Sequence, residues 1–220
     1  MTVVRPVLRR AGDRGWLVEC AGRRPAEVAR AIRAKGWASG LREVIPAADT
    51  VLVVAERGAG SKGTLGMQRL ASELRALLTE LSTGWATASA AAPRTVVIPV
   101  RYDGPDLGSV AERAGMASAE VARRHADAEH SVAFFGFAPG FAYLDGVPES
   151  LRLPRLSSPR ERVDAGIVAI AGNQTVVYPG GTPGGWHQIG TTTARLWDVR
   201  NEPPNRLQLG DRVVFQEVAS

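Results

Sequence analysis

The chain has 220 residues, 45% hydrophobic and 22% charged, with a formal net charge of +5 and a single cysteine. That length suits one large domain or two small ones, of ordinary globular composition. No apolar run approaches the ~20 residues that span a bilayer, the opening MTVVRPVLRRAGDRG lacks a signal-peptide core, and a lone Cys20 excludes an internal disulfide, so a cytoplasmic protein is expected.

GWLVEC (Gly15–Cys20) reads as a short strand in which Cys20 is a small buried hydrophobe. Pro25 suits a first helical position and opens a helix through Val28 and Ile32 to about Lys35, ended by Gly36 and Gly40. TVLVVAE (Thr50–Glu56) is the β-branched run of a buried strand. After it, Gly58, Gly60 and Gly63 spell GxGxxG. Without a βαβ unit and an acidic ribose ligand, this reads as a flexible connection and not a dinucleotide loop. Leu70, Leu74, Leu77, Leu78 and Leu81 then share one face of a second helix.

GWATASAAAP (84–93) marks a boundary between residues 1–90, a small α/β (ferredoxin-like) domain, and residues 91–220. TVVIPVRY (Thr95–Tyr102) reads as a strand. Short helices follow over Leu107–Arg113 and from Ser118, as N-cap, to about Ala128. From Ser131 the runs SVAFFGF, GIVAIAG, QTVVYP, ARLWDV and RVVFQEV, separated by turn residues, predict a compact antiparallel sheet or barrel.

Overt chemistry is sparse. Only Lys35 and Lys62 are lysines, and the arginines are scattered without a basic tract, so no nucleic-acid footprint is read. P-loop, GxSxG, HExxH and paired CxxC patterns are absent from the sequence. His125, His130 and His187 are too dispersed to predict a metal site. His125, near a helix end, has two readings: a cation complementing the helix dipole, or an acid–base group just before the pocket loops. His187 follows PGGW and is the histidine nearest the Gly-rich loop.

The richest stretch runs from Phe134 to Gly190, where aromatics alternate with Gly and Pro. Glycine permits close backbone approach and proline stiffens it, so these loops suit a shaped pocket. Arg155 and Arg160 each follow a proline, which pre-positions a guanidinium fork for carboxylate or phosphate. Gln174, Thr175 and Tyr178 offer neutral donors and acceptors for an amide-containing small molecule.

These motifs resemble the family that comprises allophanate hydrolase subunit 1, kinase-A-inhibitor-like proteins and the B-type subunit of 5-oxoprolinase. The residues that carry the resemblance are Gly136-Phe137, Pro139-Gly140-Phe141, Tyr143-Leu144, Pro154-Arg155, Pro159-Arg160, Ala171-Gly172, Gln174-Thr175, Tyr178-Pro179, Pro183-Gly184-Gly185-Trp186 and Ile189-Gly190, with His125 on the preceding helix. YDGPDL (Tyr102–Leu107), LGDRVVF (Leu209–Phe215) and GDRGWLVE extend the similarity over nearly the whole chain. Ala142, Asp164 and Thr191 depart from residues the family often carries, the last removing an arginine that could contact an anion.

The resemblance implies an α+β fold: a small α/β N-terminal domain followed by a cyclophilin-like β-barrel. It implies a second family subunit (allophanate hydrolase subunit 2, or the C-type subunit of 5-oxoprolinase) and ATP-dependent opening of 5-oxoproline to glutamate, with ATP as co-substrate bound through a partner. Allophanate hydrolysis and the carboxyltransferase part of urea carboxylase are the related activities. On this reading Arg155 and Arg160 bind an anionic group and His125 moves a proton. Gln174, Thr175 and the amides of Gly184 and Gly185 orient the substrate amide. Phe137, Phe141 and Trp186 wall the pocket, with Pro139, Gly140 and Tyr178 beside them. The rival the family offers is a regulator that inhibits a sensor histidine kinase by protein–protein binding. Prolyl isomerisation rests on fold analogy alone and ranks last.

Overall fold

A computed structural model describes residues 6–56, 66–83 and 93–219; Gly58, Gly60, Gly63 and the connector 84–92 lie outside the described residues. The chain divides into two compact units, Met1–Ala92 and Pro93–Ser220.

The first unit contains β1 (Val7–Ala11), β2 (Gly15–Glu19), α1 (Pro25–Arg33), β3 (Leu41–Pro46), β4 (Thr50–Ala55) and α2 (Met67–Thr83). Its sheet runs β1-β2-β4-β3 with antiparallel neighbours throughout. The five leucines of α2 are all buried, joining Val28 and Ile32 of α1 and Val18, Val51 and Val53 of the sheet in one core. Helical spacing alone puts them on that face. Strands β1 and β3 escape the sequence pattern because two charged residues interrupt the apolar ones in each of VLRRA and LREVIP; β1 is an edge strand, its Arg9 paired with Glu19 of β2. Among the described residues the order is ββαββα, where a ferredoxin-like unit runs βαββαβ. Cys20 is buried, and burial first, then the charge of Asp49, pushes its thiol up to about 11, so it stays protonated and unreactive.

The second unit contains β5 (Thr95–Val100), α3 (Leu107–Ala114), α4 (Ser118–Ala126), β6 (His130–Phe135), β7 (Ala142–Asp145), β8 (Arg160–Val163), β9 (Ile167–Ala171), β10 (Gln174–Val177), β11 (Thr182–Gly184), β12 (His187–Thr191) and β13 (Arg212–Glu217). Seven strands form one sheet in the order β12-β9-β10-β7-β6-β13-β5, while β11 and β8 pair separately. The sheet is mixed, not antiparallel: β13 inserts between β5 and β6 and runs parallel to β5. ARLWDV forms no strand, making only a single bridge from Trp197 to Asn205. Ala117, not Ser118, is the N-cap of α4.

Past the end of β5, Arg101 and Thr191 of β12 exchange backbone hydrogen bonds of 2.9 and 2.8 Å, which nearly closes the sheet into a barrel. The mixed helix-and-sheet fold with a barrel-like second unit is thus the one the resemblance implied. At the seam the backbone of Gly104 lies so close to β12 that a Cβ there would stand 2.3 Å from the Gln188 carbonyl oxygen. Gly104→Ala should therefore part the seam and lower stability by about 3 kcal/mol, read by chemical denaturation. A loss below about 1 kcal/mol would show that the seam can shift.

Alternation along the strands gives the sheet two apolar faces. Ala142 and Leu144 of β7, Val168 and Ile170 of β9, Val177 of β10 and Ile189 of β12 face the main core with Val110 and Val121 of the helices. Tyr143, Ala169, Ala171, Val176, Tyr178 and Trp186 belong to a second cluster with Phe141. The β7–β10 register pairs Thr175 with Leu144 and Val176 with Tyr143, so the two sets lie on opposite faces.

Candidate functional site

The FGFAPGF segment folds back on itself. Gly136 N–H donates to the Phe141 carbonyl at 3.2 Å, Ala138 N–H to Gly136 at 2.8 Å and Phe141 N–H to Ala138 at 3.0 Å. This tight loop delivers Phe141 to the second cluster. Its ring meets Tyr143 at 5.1 Å and Tyr178 edge-on at 5.2 Å, and Tyr143 meets Trp186 at 5.9 Å between centroids. The Pro-Arg segment is stitched to the PGGW loop from both sides. Buried His187 donates through Nε2 to the Pro154 carbonyl at 2.9 Å, and Leu156 N–H donates to the Gly185 carbonyl at 2.7 Å. Between these anchors Arg155 is held with its guanidinium 5.4 Å from the Trp186 ring centroid.

The result is a cleft of about 250 Å³ lined by Phe137, Phe141, Tyr143, Arg155, Pro159, Tyr178, Pro183, Gly184, Gly185 and Trp186. Glycine is required at 184 because a Cβ would lie 2.3 Å from the Tyr178 hydroxyl. Burial, then Tyr143, pushes the Tyr178 phenol up to about 12, against the pull of Arg155 and Arg160. Tyr143 is raised by burial and pulled down by Arg155. Both phenols are therefore donors at neutral pH. Among the described residues neither hydroxyl makes a hydrogen bond and Arg155 makes no ion pair. An aromatic cleft with one unpaired guanidinium and two unspent O–H donors fits a small anion with an apolar body and a polar oxygen. Its volume lies below the ~300–1,000 Å³ of pockets for drug-sized ligands.

Residues 6–207 match the carboxyltransferase domain family, subdomain C and D. The chain belongs to this carboxyltransferase-domain family. It is 44% identical over 140 residues to the B-type subunit of 5-oxoprolinase from Escherichia coli O157:H7, an alignment covering 61% of this chain and 64%, less than two thirds, of that relative. The crystal structure of TTHA0988 in space group P212121 superposes with a TM-score of 0.73 at 36% identity, over 94% of this chain but 41% of the other. PH0987 from Pyrococcus horikoshii, described as a conserved uncharacterized protein, matches at a TM-score of 0.56 and 31% identity over 97% of this chain and 98% of its own.

In this carboxyltransferase-domain chain the cleft gathers seven of the residues read from the sequence: Phe137, Phe141, Arg155, Tyr178, Gly184, Gly185 and Trp186. It adds Tyr143, Pro159 and Pro183. Strand alternation from Phe141 would have found Tyr143. Arg160 is already engaged, donating through Nη2 to Asp106 at 2.7 Å, and it pairs with Gly184 in the β8–β11 ladder. Asp106 also accepts from Gln188 N–H at 2.8 Å, so Arg160 fastens β8 to the barrel seam. Gln174 does not line the cleft; its side chain donates to Asp145 at 3.3 Å. Pro139 is exposed on the loop, and Gly140, at φ +76°, lines a separate cavity of about 290 Å³ with Trp197 and Leu196. Thr191 donates through Oγ1 to Asp103 at 2.8 Å.

His125 and Thr175 lie on the other side of the sheet from the cleft. His125 is fully buried at the main core, with Tyr102 oxygen 2.7 Å from Nδ1 and Thr175 Oγ1 2.9 Å from Nε2. With the phenol donating to Nδ1, Nε2–H donates to Thr175. The ring also packs at 4.7 Å from His130 and 4.8 Å from Phe215. Burial first, then the neighbouring His130, holds its pKa well below the usual value, so it is a neutral core residue in place of the helix-end cation. Among the described residues no cluster of three or more His, Cys, Asp or Glu that would hold a metal ion occurs.

Proposed function

We propose that this chain is the B-type subunit of an ATP-dependent 5-oxoprolinase, and that the Arg155–Trp186 cleft holds the lactam. The observation that carries the reading is the unpaired guanidinium of Arg155, stacked over Trp186 at the mouth of a cleft with two free phenols. Arg155 takes the 5-oxoproline carboxylate through charge-assisted bonds. Tyr143 and Tyr178 donate to the lactam carbonyl oxygen, and Phe141 and Trp186 exclude water around the ring. A lactam carbonyl is a poor electrophile. Phosphoryl transfer from ATP to its oxygen releases ADP and activates the carbon; water adds there, the ring C–N bond breaks with the nitrogen taking up a proton to leave an acyl phosphate, and a second water releases glutamate and phosphate. The cleft suits the small acid, and the sequence has no P-loop. ATP is therefore assigned to a partner subunit, and Arg160 to holding the floor of the cleft beside Tyr178.

The name of the Escherichia coli relative supports this reading, as does the occurrence of the same domain within a longer chain and as nearly a whole one. The test is co-expression with candidate second subunits, followed by an assay of glutamate release. Release that needs 5-oxoproline, ATP and both chains is the expected result. Release undiminished when this chain is omitted would overturn it.

A further inference from the structure

Phe137 is anomalous twice over. The residue is 62% exposed, and it is the one exposed aromatic among the described residues. Its backbone sits at φ +71°, a left-handed conformation that disfavours side chains and that only Ala21 shares among described non-glycine residues. Neither feature serves the packing of this chain. The ring touches Phe141 edge-on at 5.3 Å and lines the cleft together with exposed Pro183, and exposed Pro139 follows two residues later in the same loop. The three hydrogen bonds that close the loop impose the left-handed turn, which projects Phe137 outward from a stiff base. Strain kept at a surface position, with an apolar ring displayed on a stiff, proline-containing loop that loses little entropy on docking, is the signature of an anchor for another polypeptide.

We propose that Phe137 inserts into an apolar cup on the second subunit of the assembly and seats that subunit over the cleft. This rests on the function proposed above and assigns the surface on which assembly occurs. Two observations commit the occupant to a polypeptide of the same enzyme. The relative at 44% identity is named as a subunit, and TTHA0988 carries this domain in 41% of a longer chain, so the remainder of that protein accompanies it covalently. The open rim also needs a cover, because an activated lactam must be shielded from premature reaction with water.

The test is calorimetric titration of this chain with the separately purified second 5-oxoprolinase subunit, using wild type, Phe137→Ala and Phe137→Gly. Both variants are expected to bind at least about 30-fold more weakly than wild type, the loss typical of an interface anchor. Phe137→Gly should do so with an unchanged or higher melting temperature, because glycine accepts the left-handed turn. If wild type binds and both variants bind within threefold of it, the docking assignment falls and the function stands. Weak binding by Phe137→Gly together with a melting temperature lowered by several degrees would make Phe137 a loop-holding residue, and the assignment falls as well. If wild type itself does not bind the second subunit, the proposed function and this inference fall together.

Discussion

Arg155→Ala is expected to lower glutamate formation by the assembled enzyme by about 10²–10³-fold while leaving the fold untouched. The side chain is exposed, has no carboxylate partner among the described residues and contributes only its stack on Trp186, so its removal should change stability by no more than about 0.5 kcal/mol. On the proposed function it supplies a fork for the substrate carboxylate, on a backbone fixed at Pro154 by His187 and at Leu156 by Gly185. A lost charge-assisted contact to an ion is a loss of about 3–4 kcal/mol in the transition state when it also misplaces the reacting carbonyl. Arg155→Lys keeps the charge but not the planar fork or the stack, and should recover only part of the activity. Arg160→Ala contrasts with both. It removes the guanidinium from Asp106 at the seam and leaves that carboxylate only the Gln188 N–H among the described residues, so its main effect should fall on stability. Turnover by Arg155→Ala within threefold of wild type, in an assembly of normal composition, would remove Arg155 from the site.

Where the sequence was legible, a local period carried the information. The leucines of α2 and the valines of β4 announce themselves because each element buries one face or one run. The cleft was partly legible for a similar reason: Pro, Gly and aromatic residues crowd at positions where backbone must approach side chain, as Gly184 does beneath Tyr178. The illegible parts depend on pairing between distant residues. Nothing local in RVVFQE says that it will run parallel to TVVIPV more than a hundred residues earlier. The side of the sheet on which His125 lies is equally non-local. Its motif neighbours in the sequence include Thr175 and Tyr178, yet strand alternation sends the first to the main core and the second to the cleft. A list of motif residues records a shared region, and only the register separates the two faces.

That separation makes His125→Ala a decisive variant. Its expected effect is on stability, about 3–5 kcal/mol, since it opens a cavity in the core and leaves the Tyr102 and Thr175 hydroxyls without the ring that joins them. The wild-type cluster also predicts how stability depends on pH. Burial lowers the pKa of His130 as well, only partly offset by its bond to the His125 carbonyl, and its Nδ1 is buried without a hydrogen-bond partner among the described residues. Both histidines are thus neutral in the folded chain, whereas in the unfolded chain they take protons near pH ~6.5. Their contribution is complete above about pH 6.5, and stability falls as pH drops below it, because there the unfolded state binds more protons. Each histidine adds a slope of up to about 1.4 kcal/mol per pH unit until its folded pKa is reached. Denaturation of wild type at about pH 7.5 and about pH 5.0 should show that loss, and His125→Ala should lose roughly half of the slope along with its stability. If the variant instead melts like wild type at the higher pH while glutamate formation collapses, His125 is a chemical group reached from across the sheet, and its place as the polar centre of the core is wrong.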